Sequence, residues 1–249
     1  VQEVMDLSAV PHLATLETSV PFINFFDGFR TSHEYHKVEV MDMEDIRPLV
    51  DEADIKNFRD RALSPERPVT RGTAENPETF FTHREASNSH YDAIPDVVEH
   101  YLGEISKITG REYHCFSYYG AEDAENIIIL MGSATEAARE AIDYLTSEGK
   151  KVGMISVHLY RPFSVKHLFA AVPKTVKKIA VLDRTKEPGA EGEPLYLDVK
   201  SAFYDQENRP VIVGGRYGLG SSDITPAKII SVYNNLELPE PKNHFTVGI

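Results

Sequence analysis

The sequence predicts an α/β protein. It reads as a doubly wound, mostly parallel sheet, preceded by a partial α/β domain and an extended linker. Three observations carry this. Apolar runs recur at Ile127–Met131, Lys151–His158, Lys178–Leu182 and Val211–Val213, as expected of strands buried on both faces. Helical patterns alternate with those runs, which indicates a parallel sheet. Residues 51–92 hold Pro65, Pro68 and Pro77 with few periodic apolar positions, so they read as an irregular connector.

Taken in order, residues 2–18 read as an amphipathic helix, with Val4, Leu7, Val10, Leu13 and Leu16 at helical spacing. Pro11 removes a helical hydrogen bond, which predicts a kink near Ala9. Val20–Phe26 is short, apolar and aromatic, and Asp27-Gly28 follows it. It reads as a buried strand ending in a turn. Lys37–Met41 is a second strand candidate, followed by an acidic-headed helix from Met43, and a short helix is expected at 54–62. Ile94–Ile108 returns to helical period with Gly110 as its stop.

The second half is more regular. After the first apolar run, Ala134, Ala137, Ala138, Ala141, Ile142 and Leu145 mark one helical face. Gly149 closes that helix. Further helices are expected at about 164–171 and 193–206, and from Pro226, a residue favoured at the first helical position.

Composition narrows the function. Lys+Arg number 26 and Asp+Glu 39, a net charge of −13, which argues against binding a phosphate backbone. No apolar run approaches the ~20 residues that a membrane-spanning helix needs. No basic and apolar leader is visible. The single cysteine, Cys115, allows no intramolecular disulfide and no cluster of cysteine ligands, and it suits a reducing compartment. Its neighbour Phe116 suggests a buried thiol. Val1 lies within a helical pattern, and Phe245–Ile249 looks like a strand beginning. Both ends are therefore expected to be cut from a longer chain.

Ligands of open α/β sheets sit at the carboxyl ends of the strands. Four loops there are marked: MGSATE, LYRPF, LDRTKEPG and GGRYGLGS. Each alone reads as a turn. Together they carry Arg161, Arg184 and Arg216, which would suit a carboxylate, a phosphate or an acidic neighbour. Neither phosphate-loop spacing, G-x-x-x-x-G-K-[ST] or G-x-G-x-x-G, is present. His33-Glu34-Tyr35-His36 is one residue short of H-E-x-x-H, so no metal site is expected there. Asp27–Glu34, with Arg30, Thr31 and His33, reads either as a substrate- or coenzyme-facing loop or as a capped solvent loop.

Longer strings then take the reading further. FFDGFRTSHE, TRGTAENP, MGSATE, LYRPF, VLDRTKEPGAEGEPLYLDV, GGRYGLGS and NHFTVGI together resemble the pyruvate:ferredoxin (flavodoxin) oxidoreductases. The resemblance covers nearly the whole chain but only a minor part of such an enzyme. It implies oxidative decarboxylation of pyruvate by a homodimer, with thiamine diphosphate, Mg and iron–sulfur clusters in the parent enzyme. Coenzyme A would be the acyl acceptor, ferredoxin or flavodoxin the electron carrier, and the cytoplasm the location.

By the same resemblance, residues 1–50 end the pyrimidine-type thiamine-binding domain and 51–115 form a connector with helices. Residues 116–236 form a domain similar to the C-terminal domain of transketolase, and 237–249 lead to the next domain. The family's catalytic motifs are not among these residues, so no catalytic residue, metal ligand or cofactor site is carried over. Arg30, Thr31, His33, Arg161, Arg184 and Arg216 are left as candidates for interface or coenzyme-facing loops. A free-standing scaffold module and a flavodoxin-like nucleotide binder are the alternatives.

Overall fold

The computed structural model describes residues 1–28, 31–72 and 74–248. Arg30 lies outside the described residues. The chain divides into two compact units, one of Val1–Phe25 with His36–His114, the other of Phe26–Tyr35 with Cys115–Ile249.

In the first unit, helices α1 (Gln2–Leu7) and α2 (Ala9–Thr18) meet at Ser8. The break falls where Pro11 cannot donate back along the helix. Val10, Leu13 and Ala14 are buried, and α2 packs along the long α6 (Asn88–Thr109). Gly110 ends α6 in the left-handed region at φ 69°, and its N–H reaches the Ser106 carbonyl at 2.9 Å. Short helices α3 (Met43–Ile46) and α4 (Glu52–Asp60) begin at Asp42 and Asp51, whose carboxylates accept from Glu44 and Ala53 N–H.

Three expectations fail here. Lys37–Met41 is not a strand. Gln2 instead holds Glu39 by both backbone groups, at 2.8 and 2.9 Å, so a side-chain amide takes the place of a partner strand. The connector is also more helical than its prolines suggest. Helix α5 (Pro77–Ala86) has Pro77 in its first turn and no buried residue, so it has no apolar stripe to betray it. Val20–Phe26 is neither paired nor buried: Ile23 is 88% exposed and Phe25 66%. Apolar composition does not make a strand without a neighbour to satisfy the backbone.

The second unit holds the sheet. Its strands are β1 (Phe116–Gly120), β2 (Asn126–Leu130), β3 (Val152–Val157), β4 (Lys178–Asp183), β5 (Val211–Arg216) and β6 (Phe245–Thr246). The spatial order is β1-β3-β2-β4-β5-β6. Only β1 runs antiparallel to its neighbour. Between the strands lie α7 (Ala134–Ser147), α8 (Val165–Ala171), α9 (Pro194–Ala202) and α10 (Pro226–Glu237).

The period of two assigns the faces. Ile128, Leu130, Val152, Met154, Ala180 and Leu182 form one core with α7 and α10. On the other face α8 packs on β1 and α9 on β4 and β5. Ile127 through Leu130 are fully buried, each contributing roughly 1.5–3 kcal/mol of transfer free energy. The expected doubly wound α/β sheet is present. The edge strand β1 is an addition that its mixed Phe-Ser-Tyr-Tyr-Gly sequence did not disclose. Cys115, just before it, is buried as expected.

Candidate functional site at the strand ends

The sheet's connections place a crevice. From β2 the chain goes through α7 to β3 on one side, then crosses by α8 to β4 on the other. Beyond the carboxyl ends of β2 and β4 lies the switch point where such sheets receive ligands. Gly132-Ser133 follows β2, and Asp183-Arg184 ends and follows β4.

The protein's own Asp27 fills that position. One carboxylate oxygen, Oδ1, lies 2.9 Å from Arg184 Nη1. The other, Oδ2, accepts the Ser133 backbone N–H just ahead of α7, where positive dipole density favours an anion. Glycine is required at 132 on two counts. Its φ is +79°, and a Cβ would stand 2.6 Å from Asp27 Oδ2. The Gly132 carbonyl in turn accepts from Thr135 N–H and Oγ1 at 3.2 and 2.9 Å.

Arg184 is held from the far side as well. Its Nε donates to the Gly218 carbonyl at 3.3 Å, and Gly218 sits at φ +66° with no room for a Cβ beside that guanidinium. Buried Tyr217 donates its hydroxyl to the Met131 carbonyl at 3.1 Å. Burial, with the Asp27 charge adding to it, pushes this phenol up, so it stays neutral and a donor. Burial also raises Asp183, against the pull of the Leu195 and Tyr196 N–H groups it accepts at 3.0 and 3.1 Å.

The other two arginines are also engaged by carboxylates. Arg161 lies 2.7 Å from Asp198 and stacks over the Tyr160 ring, 4.0 Å from its centroid. Arg216 lies 3.5 Å from buried Glu193 and donates to the His244 carbonyl at 2.7 Å. Lys186 flanks Glu193 at the same 3.5 Å. Arg184 and Arg216 follow or end neighbouring strands β4 and β5, whereas Arg161 follows β3, with β2 between. Thr31 and His33 bound a single 3-10 turn, and Ser32 Oγ lies 3.1 Å from His33 Nδ1. Asp27 opens the segment that the sequence reads either as a substrate- or coenzyme-facing loop or as a capped solvent loop, but it is not among the candidate residues named there. The signal was present in its position, directly after an apolar run and before Gly28.

Two family models match the chain. One, described as pyruvate flavodoxin/ferredoxin oxidoreductase, thiamine diphosphate-binding, covers residues 1–102. The other, pyruvate:ferredoxin oxidoreductase core domain II, covers residues 124–229. The chain belongs to the pyruvate flavodoxin/ferredoxin oxidoreductase family.

Family members match it along its full length. It is 59% identical to the pyruvate-flavodoxin oxidoreductase of Enterobacter agglomerans and 57% to that of Klebsiella pneumoniae. It is 53% identical to the pyruvate:ferredoxin oxidoreductase of Moorella thermoacetica. The chain spans 21% of the length of each of these oxidoreductases. Among solved structures, the 2-oxoglutarate:ferredoxin oxidoreductase of Magnetococcus marinus aligns with 66% of this chain and 24% of its own, at 21% identity and a TM-score of 0.43.

The strand-end crevice does not fit the family's thiamine diphosphate. Its anion position already holds the Asp27 carboxylate, which would repel a diphosphate. No helix among the described residues is long and apolar enough to cross a membrane.

Proposed function

We propose that this chain is a structural, interdomain part of a cytoplasmic 2-oxoacid oxidoreductase. That enzyme oxidatively decarboxylates pyruvate. Carbon dioxide leaves, the acyl group passes to coenzyme A, and the released electron pair goes to ferredoxin or flavodoxin. The observation that carries the reading is the full-length match, at up to 59% identity among the relatives named, to pyruvate oxidoreductases of which the chain spans 21%.

On this reading thiamine diphosphate, Mg and iron–sulfur clusters are held elsewhere in the enzyme, which works as a homodimer. Residues 1–50 close the pyrimidine-type domain, 51–115 connect, 116–236 form the transketolase-C-terminal-like domain and 237–249 lead onward. The loops carrying Thr31, His33, Arg161 and Arg216 face neighbouring domains, a second subunit or the coenzyme, whereas the loop of Arg184, whose guanidinium is held by Asp27, faces neighbouring polypeptide. The exposed apolar side chains of Ile23, Phe25, Phe80 and Phe81 support contact with further polypeptide, since large apolar patches mark interaction surfaces.

The test is pyruvate- and coenzyme A-dependent reduction of a viologen dye. The whole enzyme carrying this chain is expected to be active. The 249-residue chain with added thiamine diphosphate is expected to be inactive, and turnover by it alone would refute the structural role. Arg161→Glu in the whole enzyme is expected to weaken assembly or raise the KM for coenzyme A.

A further inference from the structure

We infer that Asp27 is a positioning residue whose carboxylate is the resident anion of the switch-point crevice, so that the crevice docks the protein's own chain at Asp27 and is closed to nucleotides. The geometry is that of a bound anion in every respect but covalent attachment. One oxygen takes a backbone N–H ahead of a fourteen-residue helix, and the other takes a guanidinium nitrogen at 2.9 Å. That arrangement of helix end and arginine ordinarily receives a phosphate or a carboxylate from outside.

Here the surroundings are fitted to a carboxylate carried by the chain. Gly132 gives it room that any Cβ would take. Gly218 allows Arg184 to lie close, and its carbonyl fixes Nε, which leaves Nη1 for Asp27. Buried Tyr217, neutral, donates its hydroxyl to the Met131 carbonyl that precedes Gly132. An incoming phosphate would have to expel the Asp27 carboxylate and separate it from Arg184. The missing phosphate-loop spacing and the filled crevice therefore have one cause: the sheet's ligand position is used to hold the chain that follows Val20–Phe26.

Hydrogen–deuterium exchange at Ser133 tests this. Asp27→Ala is expected to speed exchange of that amide by about ten-fold or more, the scale of one charge-assisted hydrogen bond. Formate, which replaces the excised carboxylate, is expected to restore protection, whereas chloride at equal ionic strength is not. Arg184→Met is expected to speed exchange without rescue by formate. Asp27→Asn keeps the shape and serves if the alanine variant unfolds; partial loss of protection is expected. The inference is overturned if Asp27→Ala leaves Ser133 exchange unchanged, if formate does no better than chloride, or if flavin mononucleotide or AMP protects Ser133 in the unaltered protein.

Discussion

Arg111 grips the fully buried carboxylate of Asp6 through two nitrogens, Nε at 2.6 Å and Nη2 at 3.1 Å. Tyr113 Oη and Gln2 Nε2 complete the set at 2.6 and 2.8 Å. This joins the last turn of α1 to the segment after α6, over 105 residues of sequence. Burial alone would raise the Asp6 carboxyl, but the hydrogen bonds from Arg111, Tyr113 and Gln2 outweigh it and hold the group below its usual range.

The first prediction follows from that network. Arg111→Ala leaves a buried carboxylate without its cation and is expected to cost about 3–5 kcal/mol in urea unfolding. Arg111→Lys is expected to recover only part of it, because an ammonium cannot make the two-pronged contact. The folded-state value of Asp6 is depressed, so its stabilisation is complete above the unfolded value, about 3.9, and is lost as pH falls through the folded value. Acid unfolding followed by circular dichroism is expected to shift to higher pH in the Arg111→Ala protein.

His114 carries the opposite sign. Burial opposes its charge, but Glu112 and Glu99, at 3.1 and 2.5 Å, raise its value overall. Its stabilisation is therefore present below the unfolded value, about 6.5, and fades as pH rises through the folded one. An NMR titration is expected to place the His114 midpoint above that of a free histidine. In Glu99→Gln the midpoint is expected to fall, and an unchanged midpoint would count against the pairing.

At the crevice, Gly132→Ala combines a left-handed backbone with a contact of 2.6 Å to Asp27. The cost is expected to be about 1–2 kcal/mol from the backbone alone, plus the displacement of Asp27. In an Asp27→Ala background the second part vanishes, so the measured cost of Gly132→Ala is expected to fall. Additive costs would show that the two residues do not touch in solution.

The exposed apolar segment makes a contrasting prediction. Ile23→Lys and Phe25→Lys remove side chains that are 88% and 66% exposed. In the 249-residue chain, stability is expected to stay within about 0.5 kcal/mol, while light scattering from self-association drops. A large loss of stability would show that the segment is buried after all.

Legibility along the chain followed the reach of the interactions. The parallel strands were readable because burial on both faces leaves an unbroken apolar run such as Ile127–Leu130. Helix ends were readable at Gly110 and Pro226, where one residue's backbone preference decides. Helix α5 was not, since a helix with no buried face has no period to detect. Nor was β1, whose sequence is mixed. Val20–Phe26 looked like a buried strand for the same reason that Ile127–Leu130 did, and composition could not separate them.

By itself, then, the sequence determined the alternation of strands and helices, the placing of marked loops at the strand ends and, through its long motif strings, the family. Only the tertiary structure decided what those loops hold. Asp27 and Arg184 stand 157 residues apart, and nothing local to either predicts the other. Their meeting depends on where the crossover sets β2 beside β4, and on two glycines that leave room for a carboxylate and a guanidinium. Hydrophobic period is a local property that a chain displays residue by residue. Charge pairing across a fold is set by topology, which is why arginines that read as free anion sites each prove to face a carboxylate of the same chain.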